Sequence, residues 1–207
     1  MSLPRLFLLL TFLTSTSLFG AVIVTFDGPA SPAPGTQPGI ALYKEADFLF
    51  APFDDSLPYR LRHHAGDLDD YPSNGTSYLQ LAQADSLTIS HLENRAFTPL
   101  SIDLAKYSET FASIDSEVTF TGLLPNGSPV LAVFTVSQGV TGPGGSGDFT
   151  TFTFPEAFSG IVSLQAGPIL SPSTSFSLDN LELEIVPEPS VLFLALGSLT
   201  SLFARRR

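Results

Sequence analysis

An all-β sandwich is the fold class predicted for the middle of this chain, and three observations lead there. Apolar residues recur with period two in short runs, the spacing of half-buried strands, and no stretch of the middle sustains a helical period. Gly, Pro and Asn-Gly punctuate those runs at short intervals. The apolar payload is aromatic and β-branched, with 18 Phe and no Trp, and such side chains pack well on a pleated surface. About eight to ten short strands without a long helix argue two packed sheets.

In chain order, Ala21 to Phe26 (AVIVTF) is a β-branched run closed by Asp27-Gly28. Gly28 to Gly39 is dense in proline and glycine and reads as a loop. A strand is expected within Ala41 to Phe50. Asp54 to Thr76 is the most irregular part, acidic and broken by Pro58, Pro72 and Asn74-Gly75. Tyr78 to Ala82 and Ser86 to Ser90 alternate cleanly, and Phe97 to Leu104 sets Leu100, Ile102 and Leu104 on one face. Glu117 to Leu124 and Val130 to Ser137 flank Pro125-Asn126-Gly127-Ser128, a hairpin signal because Asn-Gly reaches positive φ at little cost. Gly142 to Asp148 is a second flexible loop. Asp148 to Phe154, Ile161 to Ala166 and Ser175 to Ile185 complete the strands. In the last, the alternation breaks at Asp179-Asn180, which predicts a bulge or a functional point.

The two ends stand outside this domain. Met1 to Ala21 carries one basic residue, Arg5, then the apolar run Leu6 to Leu13 and small or polar residues: a secretory signal peptide. Val22 to Val186 is one domain's worth of chain. Beyond it, Pro187-Glu188-Pro189 stops any strand. An uncharged apolar run from Val191 to Ala204 follows, about 14 residues against the roughly 20 of a full span. Arg205, Arg206 and Arg207 close the chain and favour the anionic, cytoplasmic side of a membrane. A helix starting at Pro189, with snorkelling arginines, approaches a marginal span, so the chain reads as exported with a short C-terminal membrane helix.

That three-part tail, Pro187 to Arg207, resembles the PEP-CTERM sorting signal of exported bacterial proteins. The resemblance implies that exosortase, a membrane-embedded sorting enzyme, recognises Pro187, Glu188 and Pro189. It assigns the apolar run to transient inner-membrane retention and Arg205 to Arg207 to the stop. It also implies a final place at the cell surface or in an extracellular matrix of exopolysaccharide and biofilm. A second resemblance runs through Asn74 to Thr76, Leu87 to Ser90, Phe97 to Leu104, Val118 to Gly122, Phe152 to Phe154 and Leu178 to Leu181. Together these are similar to exported jelly-roll domains of the galactose-binding-like and carbohydrate-binding-module kind. Such modules often hold a structural calcium between first and last strands, and Asp27 and Asp179 occupy the corresponding places. The alternative at those positions is a turn opened by Asp27-Gly28 and a bulge at Asp179-Asn180.

Charge narrows the partners. Between Val22 and Val186 five Lys or Arg face nineteen Asp or Glu, a formal −14. Such a surface repels nucleic acid and attracts divalent cations. With no cysteine, thiol catalysis, cysteine-bound zinc and iron–sulfur clusters are excluded. No nucleophile elbow, phosphate loop or His-Glu-x-x-His is present, and no acid pair has a spacing distinctive of glycoside hydrolysis. His63-His64 near Asp67, Asp69 and Asp70 is a candidate metal cluster, although adjacent residues of an extended segment point apart. Tyr43, Tyr59, Tyr71, Tyr78 and Tyr107 are candidates for stacking on sugars. These readings predict a non-enzymatic exported surface protein associated with polysaccharide. The alternatives are a module with a specific glycan ligand or a glycan hydrolase with a cryptic acid pair.

Overall fold

A computed structural model describes residues 20–27, 39–52, 61–64, 70–81, 86–108, 115–137, 139–142, 147–167 and 175–187. Residues 1–19 of the signal peptide, most of the Gly28–Gly39 loop, Asp67, Asp69, Glu188, Pro189, the apolar run and the three terminal arginines lie outside these residues. Among the described residues no helix is long and apolar enough to cross a membrane.

The strands follow in order: β1 (Val22–Val24), β2 (Gly39–Ile40), β3 (Tyr43–Glu45), β4 (Phe48–Pro52), β5 (Leu61–His64), β6 (Tyr78–Leu81), β7 (Leu87–His91), β8 (Phe97–Lys106), β9 (Ser116–Leu123), β10 (Pro129–Val136), β11 (Thr150–Thr153), β12 (Ser163–Gly167) and β13 (Phe176–Ile185). A single 3₁₀ turn, Glu156–Phe158, stands between β11 and β12. They form the expected sandwich. One sheet runs β11-β8-β13-β6-β5-β2 with β1 also on β13, the other β10-β9-β12-β7-β4-β3. Among the described residues every pairing of these strands is antiparallel.

Period-two alternation fills the space between the sheets. Leu79 and Leu81 of β6, Ile102 and Leu104 of β8, and Leu178, Leu181 and Leu183 of β13 meet Phe48, Phe50, Ile89, Val118, Phe120 and Leu164 of the facing sheet. Phenylalanines knit the end of the core near β11, Phe120 edge-to-face with Phe154 at 5.1 Å and Phe134 stacked on Phe152 at 5.0 Å. Gly122 is glycine for close approach. A Cβ there would stand 2.8 Å from Val130 Cγ2 and 2.9 Å from Ile161 Cγ2.

Two expectations need correction. Ala41 to Phe50 is a tight hairpin rather than one strand. Ala46 and Asp47 both take positive φ, 50° and 65°, so a two-residue turn forms without the Asn-Gly that signals one. Asp54 to Thr76 is not wholly irregular, because Leu61–His64 pairs with β6. Its His-His dipeptide has no apolar alternation to reveal it. The Asn126-Gly127 hairpin forms as expected: Gly127 sits at φ 82° and donates to Leu124 O at 2.9 Å.

Candidate functional site

β1 and β6 lie end to end along one edge of β13. β6 pairs with Phe176–Leu178 and β1 with Leu181–Leu183. The unpaired junction between them is Asp179-Asn180, the predicted irregularity: Asn180 has φ 43°, and the β8–β13 register shifts there. The bulge turns Asp179 into an enclosed corner. Its side chain is fully buried and accepts from the Asn74 amide and from the Thr76 hydroxyl at 3.0 Å. Asp27, at the end of β1, accepts from Ser77 N at 2.8 Å. The two aspartates chosen from the sequence therefore arrive at one junction. Burial pushes the Asp179 carboxyl up to about 7; the hydrogen bonds from Asn74, Asn180 and Thr76 work against that, and the Asp27 charge adds to it.

Proton accounting gives the rise a structural basis. The one Thr76 hydroxyl hydrogen faces two acceptors, Asn74 Oδ1 at 2.7 Å and Asp179 Oδ2 at 3.0 Å. A proton on Asp179 would donate to Thr76, freeing Thr76 to donate to Asn74. Across β13, Asp103 sits directly opposite Asp179, bound by the Thr151 hydroxyl and by Asn180 Nδ2. Like charges directly opposite on one sheet destabilise it, so a proton or a cation relieves the corner.

Asp27, Asp179 and the Thr76 hydroxyl are hard oxygens of the kind calcium takes. Asn74, however, turns its Nδ2 to Asp179 and keeps its Oδ1 for Thr76 N and the Thr76 hydroxyl, so a cation between the carboxylates would have to displace the Asn74 amide. Among the described residues no group of three or more His, Cys, Asp or Glu is placed to hold a metal. A cation here would therefore rely on neutral oxygens beside the two carboxylates.

Asp27 owes its position to the end of β1. Phe26 adopts φ 58°, a strained conformation for a bulky residue. Glu45 accepts from Phe26 N at 2.9 Å, Thr25 N at 3.2 Å and the Tyr43 hydroxyl at 2.6 Å. His63 Nε2 lies 2.8 Å from Phe26 O, and donates to it as the neutral tautomer. Burial holds the His63 imidazole below its ordinary value, against the raising effects of Phe26 O, Asp27 and Glu45. The Phe26 ring is locked against Tyr43 and Phe50, each at 5.3 Å. Glu45 and His63 are positioning residues that the sequence did not single out for this role.

The two histidines do part company. His63 turns inward to Phe26, whereas His64 stands on the outer face of the seven-stranded sheet, stacked on Tyr78 at 4.7 Å and 11°. The two histidines therefore do not converge on one ligand site, and Asp67 and Asp69 of that candidate cluster lie outside the described residues. Outward from the core, Tyr78 and Gln80 alternate with Leu79 and Leu81. Tyr71 lies 4.9 Å from His64 and 5.9 Å from Tyr107, and Phe149 lies 5.3 Å from Tyr78. Asp148 ties this layer down, accepting from Ser73 N at 3.0 Å and Thr141 N at 2.8 Å. Of the tyrosines named from the sequence, Tyr71, Tyr78 and Tyr107 converge here. Tyr43 lies inside the core, and Tyr59 is outside the described residues.

Gln80 and Ser177, on the same face, each carry an unmatched polar atom. Gln80 donates through Nε2 to Tyr107 O at 2.7 Å, but its Oε1 has no hydrogen-bond partner, nor has Ser177 Oγ. Both residues are fully buried, and Ser177 and Gln80 are cross-strand neighbours. Buried polar groups are ordinarily satisfied, so the pair marks a place where a hydroxyl or water belongs. Nothing in the spacing of the sequence could have revealed them.

No protein-family model matches the chain, and no curated protein does. Among solved structures, it is similar to a DUF4465 family protein from Bacteroides caccae, at 13% identity and TM-score 0.50, over 79% of this chain and 98% of that one. It is also similar to the CBM22-1 xylan-binding domain from Paenibacillus barcinonensis Xyn10C, at 10% identity and TM-score 0.40, over 82% and 97% of the two chains. A family 11 carbohydrate-binding module from Clostridium thermocellum matches at 10% identity and TM-score 0.35, over 73% and 96%. At 13% identity the likeness to the DUF4465 family protein is one of fold alone; the β-sandwich itself is read from the strand pairings.

Proposed function

We propose that this chain is an exported, non-enzymatic module that binds polysaccharide on the outer face of its seven-stranded sheet. The observation that carries the reading is the pair Gln80 Oε1 and Ser177 Oγ, unmatched and buried beside the ring layer of Tyr71, His64, Tyr78 and Tyr107. A sugar ring offers an apolar face to aromatic side chains and hydroxyls to a few fixed polar groups, the combination found in small-ligand sites. His64, Tyr78, Tyr107, Gln80 and Ser177 are all buried, so a ligand reaches them only when this layer opens, or through a bridging water. The acids Asp103 and Glu182 on the same face favour neutral glycans over uronate or sulfated ones. Delivery to the cell surface or matrix is assigned to the tail, with Pro187, Glu188 and Pro189 read by an exosortase and Arg205 to Arg207 as the stop. Calcium, where bound, is structural and takes its carboxylates from Asp27 and Asp179.

The test is binding of neutral glycans, xylan and mixed-linked glucan among them, by array and by affinity electrophoresis. Saturable binding that weakens at least tenfold in Gln80→Leu or Tyr71→Ala, with thermal unfolding kept, is expected. Absence of binding to any glycan leaves a matrix protein without a sugar ligand, with ordered water at Gln80 and Ser177. Polysaccharide turnover lost on changing single acids would move the chain to the hydrolases.

A further inference from the structure

A β-sheet edge that carries no device against pairing invites another strand, and the edges of this sandwich are unequal. β2 has two residues, β3 three with Lys44 and Glu45 among them, and β11 four. β10, the outermost strand of the six-stranded sheet, has eight residues, PVLAVFTV, with no charge and no proline after Pro129. Its pairing with β9 runs from Pro129↔Leu123 to Val136↔Ser116 without a register shift, so no bulge twists the edge away. On its outer face Leu131 is 62% and Val133 56% exposed, and Leu123 beside them on β9 is 40% exposed.

We infer that β10 is a self-association edge, pairing antiparallel with β10 of a second copy to join two six-stranded sheets. Antiparallel pairing of a strand with itself is isologous and closes as a twofold dimer. A register centred on Ala132 sets Leu131 opposite Val133 of the second copy, twice, which gathers the exposed apolar side chains into one patch. Inside, Val130 meets Phe134 of the second copy and the core continues across the junction. Charge selects this occupant. Each domain carries a formal −14, so copies repel wherever acids face each other, and β10 brings none. The nearest acid on that face is Glu117, opposite Thr135. It is three residues from the axis, so the two Glu117 side chains lie roughly 20 Å apart along the strands. That exceeds the Debye length of about 8 Å at physiological salt. An interface of one strand pair and four apolar side chains lies at the small end of specific contacts, so the association is weak and concentration-dependent. Surface display at high local density suits such an edge.

The full chain, purified in mild detergent, is examined by sedimentation velocity and amide exchange over about 1 µM to 1 mM, the range of weak contacts. The expected result is a monomer passing to a dimer, with exchange of β10 amides slowing as concentration rises. Leu131→Lys with Val133→Lys removes the dimer, while Leu123→Lys, one strand in from the edge, leaves it. Because the chain has no cysteine, Leu131→Cys with Val133→Cys should give one discrete disulfide-linked dimer on oxidation, and Lys44→Cys on the short β3 edge should not. Monomer throughout the range overturns the inference. So does dimer loss in Leu123→Lys, which points to stacked faces, and so does concentration-independent protection of β10, which means the edge is covered within the chain.

Discussion

Asp179 makes stability depend on pH with a sign opposite to that of a paired surface carboxylate. Its folded pKa stands at about 7 against 3.8 for the free group, so between those values the folded state binds the proton more tightly than the unfolded chain. Its contribution is whole below about pH 4, falls as pH rises through the window, and levels above about pH 7. Each tenfold difference in proton affinity is worth about 1.4 kcal/mol, so the full loss is about 4 kcal/mol. For a domain of this size that moves the midpoint by roughly 8–16 °C. The assay is thermal unfolding of Val22 to Val186 between pH 4 and 8.5 in chelator, for the parent and Asp179→Asn. Taking the difference between the two cancels the other acids. The variant, which has no proton to lose there, should melt above the parent at pH 8 and approach it at pH 4. Parallel curves would refute the reasoning. Calcium at a hundredfold excess over its Kd should add about 2.7 kcal/mol to the parent at pH 7.5. It should add less in Asp27→Asn and least in Asp179→Asn, whereas magnesium, with its tighter octahedron, should add less than calcium to any of them. Screening by sodium chloride would act on all three proteins alike. A calcium gain equal in all three would return both aspartates to a turn and a bulge.

Glu45→Ala removes the acceptor for Phe26 N–H and the Tyr43 hydroxyl together, and should cost about 2–4 kcal/mol in urea unfolding. An unchanged midpoint would mean that β1 ends without its clamp. Changing Pro187, Glu188 and Pro189 to alanine should leave export intact and hold tagged protein in the inner membrane on fractionation. Equal distribution in cells with and without an exosortase would leave the tail as a plain anchor.

Much of the sandwich was legible because its code is local. Alternation in Tyr78 to Leu81, Phe97 to Leu104 and Val130 to Val136 needs only the two-residue period of a strand, and Asn126-Gly127 needs only the φ preference of glycine. Where local chemistry was atypical, the reading failed. Ala46-Asp47 turns a hairpin because two flanking strands pair around it, and Leu61–His64 is a strand because β6 supplies its hydrogen bonds. The break at Asp179-Asn180 was visible as a lapse in alternation, and Asp27 as the residue closing the first strand.

The sequence by itself therefore determined the strand content, the acidic charge, the absence of thiol chemistry and the irregular point in the last strand. Only the tertiary structure decided what that point meets. Asp27, Asn74, Thr76 and Asp179 are scattered over most of the domain, and they meet because β1 and β6 share one edge of β13, while β8 on the other edge brings Asp103. The same holds for Gln80 and Ser177, whose unmatched atoms are neighbours through a cross-strand register. Hydrogen-bond satisfaction is a property of three-dimensional neighbours, and burial, which lifts the Asp179 pKa, is a property of the packed chain; neither has a period along the sequence.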